Sequence, residues 1–119
     1  MSIFMLRAKW SSAAFKRELA NPSDRRAETE KLMLANNLHL RDMFFSPDRR
    51  ETVMLCEGTF EDMTTASIIG FSSGSFQDAT IESLISTEGM TAVMVGAQRR
   101  ASAYSPPTED EIDRMLLDE

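Results

Sequence analysis

From Ser2 to Trp10 the chain alternates without a break, and this alternation limits the folds open to it more than any other feature. Phe4, Leu6, Ala8 and Trp10 fall on one side of an extended strand, and Ile3, Met5, Arg7 and Lys9 on the other. The first set is almost wholly apolar and has to lie against helices. The second is apolar at one end and cationic at the other. A strand of this kind belongs to a sheet with one face covered and one face open.

The rest of the chain supplies such a sheet. Ser11-Ser12 offer an N-cap for a short helix carrying Phe15 and Leu19. Asn21-Pro22-Ser23-Asp24 breaks that helix and recaps the chain, because Pro22 disfavours helical geometry at Asn21 and Ser23 or Asp24 can cap the next turn. A second helix runs to about Asn36 with Ala27, Leu32, Met33 and Leu34 as its apolar positions, and Asn36-Asn37 stops it. Residues 38–46 and 51–58 read as a hairpin turned by Pro47-Asp48. Thr59 caps a helix over about 61–72 with an inward stripe of Met63, Ala66, Ile69 and Gly70, which Ser72-Ser73-Gly74-Ser75 ends. Residues 77–86 form a fourth strand. A further helix from about Thr87 to Tyr104 keeps Met90, Val93, Met94, Ala97, Ala101 and Tyr104 on one face. Pro106-Pro107 stops it, and Thr108-x-x-Glu111 is a capping box for a short tail helix carrying Ile112, Met115 and Leu116. The order strand, helix, strand, strand, helix, strand predicts an α+β fold of the ferredoxin-like, split β-α-β-β-α-β kind with a C-terminal helical extension. The expected division is one domain over 1–105 and an acidic tail over 106–119.

Composition narrows the function classes. One Cys excludes a disulfide scaffold and cysteine zinc sites, and one His excludes a multi-histidine metal site. No metal and no cofactor are expected. The apolar runs are far shorter than the ~20 residues of a membrane span, and the start lacks the basic leader and long apolar stretch of a secretory signal. The expectation is a cytoplasmic protein without a membrane partner. A net charge of −6 disfavours nucleic acid. That charge is lopsided: residues 1–50 carry +4 and residues 51–119 carry −10, with no Lys, Arg or His from Glu51 to Gln98. A basic side facing an acidic one would favour self-association, while an uneven solvated surface is the plainer reading.

Several signals in order resemble the GYD-domain family of small bacterial proteins over about residues 2–90. They are the N-terminal strand leading into Trp10-Ser11, Asp24-Arg25-Arg26 opening a long helical segment, the hairpin, a helix, Ser73-Gly74, and the Thr80-Ile81-Glu82-Ser83-Leu84 strand. Arg49-Arg50-Glu51 stands where the family has Gly-Tyr-Asp, so an acid is kept and the glycine and aromatic are missing. The resemblance implies a dimeric α/β barrel, in which two four-stranded sheets meet face to face about a two-fold axis. Physics leads to the same homodimer separately, since an open sheet face carrying Ile3 and Met5 is an interface in search of a partner.

Candidate site residues are few. His39 is the only histidine, a possible general base or else a half-exposed strand residue. Arg7, His39 and Arg41 on one barrel face would form a cationic lining for a small carboxylate or phosphate, unless Glu57 or Glu82 neutralises them. Cys56, within an apolar strand, reads as core. Arg25-Arg26, Arg49-Arg50 and Arg99-Arg100 are basic pairs able to hold an anion, although Arg99-Arg100 has a sufficient reason in the helix dipole. No phosphate-cradling glycine loop, nucleophile elbow or dinucleotide fingerprint is present. The first reading is a homodimer binding a small organic or anionic molecule without an assigned activity. Beside it stand a cofactor-independent enzyme of monooxygenase or isomerase type using His39 with Arg7 or Arg41, and a structural or interaction protein.

Overall fold

A computed structural model describes residues 2–107. Its elements are β1 (Ser2–Trp10), α1 (Ser12–Ala20), α2 (Arg26–Ala35), β2 (His39–Ser46), β3 (Glu51–Gly58), α3 (Phe60–Ser72), β4 (Phe76–Leu84) and α4 (Thr87–Arg100), the last followed by a single 3-10 turn over Ala101–Ala103. The protein is α+β. Its four strands form one antiparallel sheet in the order β2-β3-β1-β4, so β3 lies between β1 and β2. The chain divides into two compact units after Leu84, which sets α4 in the second unit rather than with the sheet. The capping box and the tail helix it opens lie outside the described residues.

The alternation along β1 decides where the core forms. Phe4, Leu6 and Ala8 are buried, and their register partners Cys56, Met54 and Thr52 on β3 are buried with them. Leu40 extends this layer onto β2. The helices supply its cover: α2 brings Met33, and α3 brings Met63 and Ala66, one turn apart on the same stripe. Trp10 closes one end, its ring 5.0 Å from those of both Phe15 and Phe45 and its indole N–H donating to Thr52 Oγ1 at 2.7 Å. Several of the expected apolar positions fall outside the core, Leu19 among them at 84% exposure. Leu34 is 72% exposed, about 100° around α2 from the buried Met33, and Ile69 is exposed although it continues the stripe of Met63 and Ala66.

Polar side chains fix the helix starts. Ser11 Oγ accepts from the Ala14 N–H at 3.2 Å, Thr59 Oγ1 from Asp62 at 3.1 Å and Ser86 Oγ from Gly89 at 2.9 Å, each such cap being worth about 1 kcal/mol. At α2 the Asp24 carboxylate accepts from the Arg26 N–H at 3.0 Å. Asn37, with φ of 59°, turns the chain out of α2, and Gly74, with φ of 78°, does the same after α3.

Gly58 answers a different demand, since a Cβ there would run into Leu38 Cδ2, a side chain locked in the core. Gly58→Ala is therefore expected to lower stability by about 1–3 kcal/mol through overpacking, read as a lower urea midpoint at unchanged slope. An unchanged midpoint would show that Leu38 yields.

Candidate functional site

The uncovered face of the sheet is set by register. Residues opposite one another share a face, and the pairing arranges this face in four rows. The first is His39, Glu57, Ile3 and Leu84; the second is Asp42, Leu55, Met5 and Glu82. The third is Phe44, Val53, Arg7 and Thr80, and the fourth is Ser46, Glu51, Lys9 and Asp78. The middle of the face is apolar, with Met5, Leu55, Val53 and Ile3 half-buried and Phe44 62% exposed. Charged groups surround it.

The three residues expected to line an anion site all come to this side of the sheet and do not converge. Neighbouring strands lie about 4.8 Å apart and successive same-face residues about 6.8 Å, so Arg7 and His39, two strands and two rows apart, are separated by about 17 Å between backbones. Arg41 occupies an irregularity in β2, between Leu40 and Asp42, where the strand has one residue more than its partner. Both arginines are also already paired. Arg7 Nη1 donates to Glu51 Oε1 at 3.2 Å, and Arg41 Nη1 lies 3.2 Å from Glu57 Oε1. Glu57 was a foreseeable partner; Glu51 was not, because its claim on Arg7 depends on being diagonal to it across β1 and β3. His39, exposed on the edge strand, faces a Glu57 carboxylate that Arg41 holds.

With both arginines matched by carboxylates, an anion bound by either would have to displace Glu51 or Glu57. Lys9 in the fourth row is the one cation of this face without an ion pair among the described residues. Asp42, Asp78 and Glu82 add further negative charge to the face. The arrangement suits a neutral, largely apolar body. Among the described residues no group of three or more His, Cys, Asp or Glu stands together as a metal site, and no helix is long and apolar enough to cross a membrane.

On the opposite side of the sheet a cavity of about 460 Å³ opens among β1, β2, β3, the start of β4 and the helices α1, α2 and α3. Trp10, Met43 and Met54 form part of its floor, and Arg17 and Arg25 stand at its mouth. Of the Arg25-Arg26 pair only Arg25 lines this cavity, while Arg26 is held by Glu30 at 2.8 Å. Arg17 carried no signal in the sequence, since only the packing of α1 over the sheet brings it here.

Cys56 is fully buried, and its thiol touches Met33 Sδ at 3.9 Å. Burial pushes its pKa from 9.0 up to about 11. The native thiol is expected to resist alkylation by iodoacetamide at pH 8 until denaturant is added. The unfolded chain sheds the proton near pH 9 while the folded chain keeps it, so stability is expected to fall as pH rises from about 9 to about 11. Rapid alkylation of the native protein would place Cys56 at the surface.

Compared with known proteins, the chain matches no family model and no curated protein sequence.

Proposed function

We propose that the protein is a binding module that works as a homodimer, its two open sheet faces meeting about a two-fold axis and enclosing a small, largely apolar organic molecule. The observation that carries this reading is the apolar centre of the open face, built from Met5, Leu55, Val53 and Phe44 and ringed by charge. An exposed patch of this composition on a sheet is covered by a partner more often than by water.

A second copy suits the face better than a foreign surface because the face holds charges of both signs that it does not itself satisfy. Lys9 forms no ion pair among the described residues, and neither do Asp78 and Glu82 on the neighbouring strand. A two-fold operation can bring charges of opposite sign on the two copies together. In this reading the order β2-β3-β1-β4 is the split β-α-β-β-α-β arrangement of ferredoxin-like domains, and the pair of sheets is the dimeric α/β barrel that the resemblance to GYD-domain proteins implies. The matched arginines move the expected ligand from an anion toward a neutral molecule. The geometry favours binding over catalysis, since Arg41 rather than His39 holds Glu57 and Arg7 lies too far away to act with either.

Leu55→Asp places a charge in the middle of the patch without touching the helix side. It is expected to convert the dimer to a monomer in native mass spectrometry and to leave the circular dichroism spectrum intact. A parent protein that is monomeric at micromolar concentration would overturn the reading.

A further inference from the structure

We propose that the cavity on the helix side of the sheet is a separate binding site for a small organic monocarboxylate with an apolar body. It uses none of the residues of the sheet-face site and does not depend on the dimer.

Its volume, about 460 Å³, lies in the range of roughly 300–1,000 Å³ usual for small-molecule sites. The space is left by the residues that line it. Gly70 contributes no side chain from α3, and a Cβ there would stand 3.6 Å from the Phe76 ring. Helix α1 buries none of its residues, so it roofs the sheet without filling the gap beneath. The floor is apolar, formed by Trp10, Leu32, Met43, Met54 and Phe76.

Charge selects the head group. Two arginines and two glutamates stand around the cavity, formally in balance. The glutamates are occupied: Glu18 accepts from the backbone N–H and the hydroxyl of Ser23, and Glu28 accepts from Lys31 Nζ at 3.2 Å. The arginines are not. Arg17 Nη2 donates only to the Ser75 hydroxyl, at 3.1 Å, and neither Arg17 nor Arg25 pairs with a carboxylate among the described residues. Guanidinium groups without a carboxylate partner, standing above an apolar floor, fit a carboxylate, whose two oxygens match the planar fork. Glu18 and Glu28 set the limit at one negative charge, because a second would face them at close range. Thr52 is 3% exposed and lines the same cavity. Its oxygen accepts from the Trp10 indole, and its own O–H still has a bond to give.

Trp10 is the only tryptophan, so its fluorescence reports on this floor. Octanoate is expected to produce a saturable change in Trp10 emission, with 1-octanol binding at least tenfold more weakly and octylamine not at all. Arg17→Gln and Arg25→Gln, both surface changes whose folding is checked by thermal unfolding, should each weaken octanoate about tenfold, the loss of one charge-assisted hydrogen bond. Leu55→Asp should leave octanoate binding unchanged even as it breaks the dimer, so the two sites fail separately. Absence of a saturable response, equal binding of octanol, or indifference to both arginine substitutions would overturn the proposal. Loss of octanoate in Leu55→Asp would also overturn it, placing the ligand on the sheet face.

Discussion

The two-sided pairing of β1, with β3 along one edge and β4 along the other, is the constraint from which the remaining architecture follows. Both ladders lock its register, and with it the face on which every second side chain of three strands emerges. A slip of one residue would send Phe4, Leu6 and Ala8 to solvent and press Arg7 and Lys9 into the layer now formed by Met33, Met63 and Cys56. Charges buried there without partners would cost far more than the ladder returns. Helices α1, α2 and α3 occupy one side because only that side of β1 is apolar from end to end.

Much of this was legible in the chain itself, because strands and caps are written in short-range patterns. The alternation over 2–10, the Pro47-Asp48 turn, the serine and threonine caps and the left-handed stops at Asn37 and Gly74 all depend on a few adjacent residues. The structure agrees with them to within a residue or two. What the pattern did not carry was long-range. The extra residue at Arg41 changes which side chains of β2 stand opposite β3, and no local signal marks it. The Arg7–Glu51 pair joins residues 44 positions apart, diagonal neighbours across a ladder whose register periodicity alone leaves open. Helical stripes were read too widely for a related reason. Ile69 continues the stripe of Met63 and Ala66, but there α3 borders the cavity instead of close-packed core, and Ile69 stays exposed.

The lopsided charge acquires a meaning in the fold. The chain from Glu51 to Gln98 has no cation of its own, yet its β3 is the neighbour of both β1 and β2, which come from the basic half. Arg7–Glu51 and Arg41–Glu57 both join the two halves, whereas Arg26–Glu30 and Lys31–Glu28 stay within one helix of the first. Part of the complementarity available to draw two molecules together is thus consumed within one. Each pair is partly solvated and worth no more than about 1 kcal/mol. Their larger effect is to occupy the two arginines of the open face, whereas Arg17 and Arg25 at the helix-side cavity keep no carboxylate partner among the described residues.

The irregularity at Arg41 has a consequence for the molecule in a crowded solution. β2 and β4 are the outer strands of the sheet, and such strands offer unpaired backbone groups to any passing chain. β2 is the more exposed to that hazard, since it carries Phe44 and Phe45 close to its rim. An extra residue in its first half breaks the even spacing that a foreign strand would need in order to zip along it, and the charges of Arg41 and Asp42 stand at the break. β4 presents Asp78 and Glu82 instead. Both outer strands thus carry features that discourage a fifth strand. A single residue out of step makes β2 a poor template for the strand-by-strand addition on which fibres depend.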